Sequence, residues 1–150
     1  MRVEEELYRE VIMDHFRSPR YGPPLSEPEA QAEGVNPLCG DELRLTLRVR
    51  DGVVVEVGAD SKGCSISQAS ASMLAEVVKG KSLDEVQALV EQVSAMLTDK
   101  PHEPLDEDED LAALSGVKNY PVRVKCALLP WATLRQALSS PGGKVSTEEE

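Results

Sequence analysis

Aromatic residues are scarce: the 150-residue chain holds 1 Trp, 3 Tyr and 1 Phe. Its core therefore has to be aliphatic. Cations are also few, with 16 Lys and Arg against 27 Asp and Glu, a formal charge of −11. Such a chain repels phosphate backbones, and it has no basic stripe with interleaved aromatics, so nucleic-acid binding is not expected. Long apolar runs are missing too. Gly and Pro interrupt most of them, and none approaches the roughly 18 residues of a membrane span. The opening Met1-Arg2-Val3-Glu4-Glu5-Glu6 has no apolar stretch after its arginine. No secretion is expected from it, and the expected location is the cytoplasm. Only 3 cysteines are present, an odd number that points to thiols in a reducing compartment rather than a disulfide framework.

What is present suits one globular domain. Apolar residues make up 41% of the chain, and the length is enough to bury a core. Val3, Leu7, Tyr8, Val11, Ile12, His15 and Phe16 recur at helical spacing until Pro19 ends the run. The stretch Arg20 to Val35, rich in Pro, Glu and Ala, reads as an exposed loop. Leu43, Leu45, Leu47 and Val49 then alternate with polar residues, and so do Val53, Val55 and Val57. Asp51-Gly52 between them is a type I′ hairpin signal. A helix is expected from Ile66 to Gly80. Ser82 and Glu85 form a capping box for another through Leu97. The acidic run Asp106 to Asp110 reads as a solvated face, and His15 and His102 as surface or packing residues. The last helix is expected to start near Pro121 and to kink or break at Pro130. The expected architecture is α+β: a small antiparallel sheet of about three strands packed against helices, one domain over 1–138, and a disordered tail over 139–150.

Each cysteine has a setting that suggests chemistry. Cys39-Gly40-Asp41 puts a thiol and a carboxylate two residues apart in a chain that Gly40 can bend. Cys64 stands where a strand gives way to a helix, and a helix N-terminus lowers a thiol's pKa. Cys126 follows Lys125 and lies three residues after Arg123, cations that also favour a thiolate. If the three converge with Asp41, three sulfurs and one oxygen suit tetrahedral Zn²⁺ or, equally, iron with sulfide. Read singly, Cys126 is a small hydrophobe on an apolar stripe. Asp41 is equally a turn residue at a strand start. The row Arg44, Arg48 and Arg50 is the outer face of a strand.

Several segments together resemble the iron–sulfur cluster assembly proteins IscU and SufU, the group of the NifU N-terminal domain. They are Tyr8 through Gly22, Asn36-Pro37-Leu38-Cys39-Gly40-Asp41, Lys62 through Ser67 with Ala69-Ser70-Ala71-Ser72, Gly80-Lys81-Ser82, and Arg123-Val124-Lys125-Cys126-Ala127. The resemblance covers residues about 5 to 138. IscU scaffolds carry a His just before the third cysteine, and Lys125 stands there in this chain. That difference, with the long stretch from Leu83 to Tyr120, is similar to SufU.

The SufU resemblance implies Zn²⁺ held by Cys39, Asp41, Cys64 and Cys126. It implies persulfide sulfur taken from a cysteine desulfurase of the SufS/IscS kind, with Cys39 as acceptor and Arg123 in support. Such a protein is a sulfurtransferase-like acceptor rather than a conventional enzyme, delivering to downstream cluster assembly or apo iron–sulfur proteins. A metal-bound thiolate is deprotonated but held, so one ligand must be released before it attacks. Cys39, in a Gly-containing loop beside Asp41, is the candidate. The alternative implied by IscU is a scaffold on which a transient [2Fe–2S] cluster is assembled and transferred.

Overall fold

The computed structural model describes residues 3–101, 109–139 and 142–147. In chain order these form α1 (Val3–Arg17), β1 (Ala30–Asn36), β2 (Asp41–Arg50), β3 (Val53–Lys62), α2 (Ser65–Val78), α3 (Leu83–Leu97), α4 (Glu109–Leu114), α5 (Val124–Ser139) and β4 (Gly143–Ser146). Short 3₁₀ segments, Ser115–Asn119 and Pro121–Arg123, lie between α4 and α5.

The expected hairpin is present. β2 and β3 pair antiparallel, and both Asp51 (φ 52°) and Gly52 (φ 74°) adopt the positive φ that a type I′ turn needs. Leu43, Leu45 and Leu47 are buried while Glu42 and Arg44 are exposed, so the alternation marks the core face. The sheet nevertheless has four strands, not three, and it is mixed: its order is β3-β2-β1-β4, with β4 parallel to β1. The stretch read as an exposed loop contains β1, Ala-Gln-Ala-Glu-Gly-Val-Asn. Its small inward residues have a packing reason. A Cβ on Gly34 would lie 2.0 Å from Thr133 Oγ1 and 2.9 Å from a Leu129 methyl, so α5 rests directly on β1 there. β4 lies within the stretch read as a disordered tail.

Helices cover one face of the sheet. Ser82 accepts from the Glu85 N–H at 3.2 Å, and the Glu85 carboxylate accepts from the Ser82 N–H at 3.0 Å, which completes the capping box at the start of α3. α5 runs through Pro130 without a break. His15 is fully buried, with Nδ1 2.7 Å from Ser72 Oγ and Nε2 2.6 Å from Asp110 Oδ2. Asp110 therefore fastens α4 to α1 and is more than part of a solvated face. Asp106 to Asp108 and His102 lie outside the described residues. Arg48, on the outer face of β2, donates to the carbonyls of Ser26 and Glu27 and so pins the loop before β1.

One buried polar bolt joins α2 to α5. Ser70 Oγ donates to the Ala127 carbonyl at 2.7 Å and accepts from the Trp131 indole N–H at 3.0 Å. Trp131 is fully buried, so removing the hydroxyl strands its N–H. Ser70→Ala is expected to lower stability by about 1–3 kcal/mol. Urea denaturation with an unchanged slope measures this, and an unchanged midpoint contradicts it.

Candidate metal centre

The site begins with a register. Asn36 ends β1, Asp41 opens β2, and the two are directly paired across the sheet. The four residues between them form the turn that carries Cys39. The Cys39 N–H donates to the Asn36 carbonyl at 3.3 Å. Gly40 then takes φ 71°, a left-handed conformation that favours glycine.

At the far end of β3, Gly63 turns the chain into α2. Its φ is 127°, and a Cβ on it would lie 2.1 Å from Asp41 Oδ1. The Cys64 N–H fills this close approach and donates to Asp41 Oδ1 at 2.8 Å. Cys64 is the N-cap residue of α2, but its thiol makes no capping bond. Cys64 Sγ lies 3.9 Å from Asp41 Oδ2. Cys126 comes from the first turn of α5 and is fully buried.

Cys39, Asp41 and Cys126 bring ligand atoms within 4.8 Å of one another. Cys64 stands beside that group through Asp41. The four residues separated by gaps of 25 and 62 positions between cysteines thus converge. A tetrahedral shell with metal–sulfur bonds of about 2.3 Å needs ligand atoms about 4 Å apart, so three sulfurs and a carboxylate at these spacings can hold a metal ion. Arg123, in the 3₁₀ turn before α5, points Nη1 at Cys39 Sγ from 3.7 Å.

The electrostatics are those of shared protons. A hydrogen bond from Cys126 pulls the Cys64 thiol down to about 6, against burial, and the N–H groups of Ser67 and Ile66 at the start of α2 assist. The same bond, with burial, pushes the Cys126 thiol up. The expectation for Cys64 agrees with its surroundings. For Cys126 the neighbouring cations do not dominate, because the hydrogen bond to Cys64 and burial both favour its protonated form. Arg123 is held in its charged form by hydrogen bonding to Cys126 and by the three thiols around it.

Some contributors escaped the sequence reading. Asn36 is fully buried, and its Nδ2 donates to Asp41 Oδ2 at 3.0 Å and to Cys126 Sγ at 3.4 Å. In the sequence it stands at the head of the segment Asn36 to Asp41 that carries the family resemblance, five residues before Asp41, with no role assigned to it there. Thr147 donates to Asn36 Oδ1 at 2.9 Å, and no local pattern announces it. Tyr8 stacks on Tyr120 with ring centroids 6.0 Å apart. Burial, then the neighbouring Tyr120, pushes the Tyr8 phenol up to about 12, and its hydroxyl has no hydrogen-bond partner among the described residues. Large apolar side chains are exposed close by in sequence: Leu38 beside Cys39, and Tyr120 and Val122 before Arg123.

Residues 7–127 match the family model of the NifU-like N terminal domain. The zinc-dependent sulfurtransferase SufU of Bacillus subtilis (strain 168) is 36% identical over 139 residues, covering 93% of this chain and 94% of its own. The iron–sulfur cluster assembly scaffold protein IscU of Thermotoga maritima is 40% identical over 138 residues, covering 91% of this chain and 95% of its own. Among solved structures, FiSufU of the SUF system from thermophilic Fervidobacterium islandicum AW-1 superimposes with a TM-score of 0.81 at 34% identity, covering 87% of this chain and 95% of that one.

The contact between Gly63 and Asp41 generates a prediction. Gly63→Ala drives a methyl group into the carboxylate and strains the backbone at a positive φ. Affinity for Co²⁺, read from thiolate absorption, is expected to fall by about tenfold or more, the scale of a disturbed ligand support. Wild-type affinity in the variant contradicts the assignment of Asp41 to the site.

Proposed function

The chain belongs to the NifU-like N-terminal domain family, and from that premise we propose that it accepts persulfide sulfur from a cysteine desulfurase in iron–sulfur cluster biogenesis. The observation that carries the reading is the convergence of Cys39, Asp41 and Cys126, with Cys64 alongside and Arg123 aimed at Cys39. The relative named a zinc-dependent sulfurtransferase supports Zn²⁺ as the metal, and three thiols with one carboxylate are a donor set that Zn²⁺ accepts. Cys39, Asp41, Cys64 and Cys126 would hold it, and a bound Zn²⁺ keeps its thiolates deprotonated near neutral pH.

The chain's own residues account for the transfer. Cys39 and Cys64 are half-buried, whereas Cys126 is sealed on a helix; of the two reachable thiols, Cys39 sits on the Gly-containing turn and faces Arg123, so it is the acceptor in this reading. The Cys39 thiolate attacks the outer sulfur of the donor persulfide. A new sulfur–sulfur bond forms on Cys39, the donor's own sulfur–sulfur bond breaks, and the donor cysteine leaves as a thiolate. No net oxidation occurs. The Arg123 guanidinium, 3.7 Å from Cys39 Sγ, stabilises the anionic sulfurs during this exchange. Exposed Leu38, Tyr120 and Val122 supply apolar surface for a protein donor to cover. The three free thiols suit the cytoplasm, and no helix among the described residues is long and apolar enough to cross a membrane.

A second reading, a scaffold for a transient [2Fe–2S] cluster handed to apo-proteins, draws on the IscU relative at 40% identity. Lys125, where such scaffolds carry a His, weighs against it by removing an extra ligand next to Cys126.

The test is peptide mass spectrometry after incubation with a cysteine desulfurase and cysteine, without iron. Added sulfur on Cys39 is expected, absent in Cys39→Ala and slowed about tenfold in Arg123→Ala, the scale of one lost hydrogen bond to a charged group. No sulfur on any cysteine, together with a coloured cluster after anaerobic loading with iron and sulfide, favours the scaffold.

A further inference from the structure

β4 does more than lengthen the sheet. It runs parallel to β1 with Val35 opposite Ser146, so the next residue, Thr147, arrives level with Asn36. Gly142 starts this docking by donating its N–H to the Gln31 carbonyl at 2.7 Å. Thr147 is 2% exposed and Asn36 is fully buried, so the contact between them is sealed from water.

The chemistry of that contact has one direction. An amide oxygen only accepts, so the Thr147 hydroxyl donates to Asn36 Oδ1. This places the Asn36 NH₂ on the other side, where it donates to Asp41 Oδ2 and Cys126 Sγ together. Turned over, the amide would aim its oxygen at a carboxylate and a sulfur, and both would lose a donor inside a dry site. An asparagine amide presents nearly the same shape either way round, so packing discriminates weakly between the two orientations. The acceptor-only carboxylate of Asp41 selects the orientation, and the Thr147 hydroxyl holds it by giving the buried Oδ1 a donor.

We propose that Thr147 is a positioning residue for the metal centre: delivered by β4, its hydroxyl donates to Asn36 Oδ1 and so anchors the amide whose NH₂ donates to the carboxylate of Asp41 and the sulfur of Cys126. The inference rests on the metal-binding reading of the site and is independent of sulfur transfer. It makes β4 docking and metal retention two expressions of one equilibrium, because whatever lifts β4 from β1 also removes the anchor. Ligand supports of this kind typically change metal affinity by about 10–100-fold when removed.

The experiment compares Thr147→Val, which keeps the shape and drops the hydroxyl, with Thr147→Ser, which keeps the hydroxyl. Co²⁺ is titrated into the full chain, the visible spectrum of the Co²⁺ form is recorded, and Zn²⁺ release to a chromophoric chelator is timed. The expected result is about tenfold weaker Co²⁺ binding, an altered d–d band envelope and faster Zn²⁺ release in T147V, with T147S close to wild type; T147V melts somewhat lower because Asn36 Oδ1 loses its donor, but it is folded at the temperature of the titration. If T147V does not fold, Thr147→Ala, which introduces no bulk, takes its place against T147S. Wild-type binding and spectrum in the hydroxyl-free variant overturn the inference, as does an equal loss in the T147S variant. A wild-type chain that binds no Co²⁺ overturns the metal reading and this inference together, whereas metal loss confined to the hydroxyl-free variant supports it whether or not sulfur is transferred.

Discussion

The site is organised around a buried carboxylate. Asp41 is 1% exposed, and a charged group taken out of water is costly unless donors replace its hydration. Two N–H groups do so, that of Cys64 on Oδ1 and that of the Asn36 amide on Oδ2, and the Cys64 thiol approaches Oδ2 at 3.9 Å. These bonds commit β3, α2 and the end of β1 to one geometry. Gly63 is required because the Cys64 amide can reach the carboxylate only where no Cβ stands in the way. Asn36 extends the arrangement to Cys126 on α5, and the Ser70 bolt keeps α5 against α2. A carboxylate satisfied by only two N–H donors keeps acceptor capacity, which a metal ion can use.

Much of the fold was legible because its signals are local. The alternation through Leu43, Leu45 and Leu47, the Asp51-Gly52 turn and the Ser82–Glu85 box each depend on neighbours within a few residues. β1 was not legible for a physical reason. Its inward side chains through Gly34 are Ala30, Ala32 and Gly34, small where α5 packs on them, and its one β-branched residue, Val35, is too little to signal a strand. β4 has four residues and owes its existence to pairing with β1, so nothing local could reveal it. The absence of a break at Pro130 is likewise a tertiary outcome: the buried stretch of α5 around Pro130 gains more from packing than it loses with one backbone hydrogen bond.

The site was legible in composition but not in assembly. Cys39 and Asp41 announce themselves by spacing, and Cys64 by its place at a helix start. Cys126 is the instructive residue. Its burial fits the reading of a small hydrophobe, yet its sulfur accepts from Asn36 and exchanges a hydrogen bond with Cys64. Burial and ligand capacity coexist in one thiol, and only the packing of α5 on β1 shows it. His15 gives the converse lesson. Read as a surface or packing residue, it is fully buried, and Ser72 and Asp110 occupy both its nitrogens in a structural clamp.

We propose that one metal ion is held by three sulfurs and one oxygen drawn from the β1–β2 turn, the start of β2, the start of α2 and the start of α5. X-ray absorption at the zinc edge of the purified, Zn²⁺-loaded chain tests it most directly. The account predicts a first shell of three sulfurs at about 2.3 Å and one lighter atom at about 2.0–2.2 Å. A shell of oxygen and nitrogen alone, or one with a single sulfur, would contradict it.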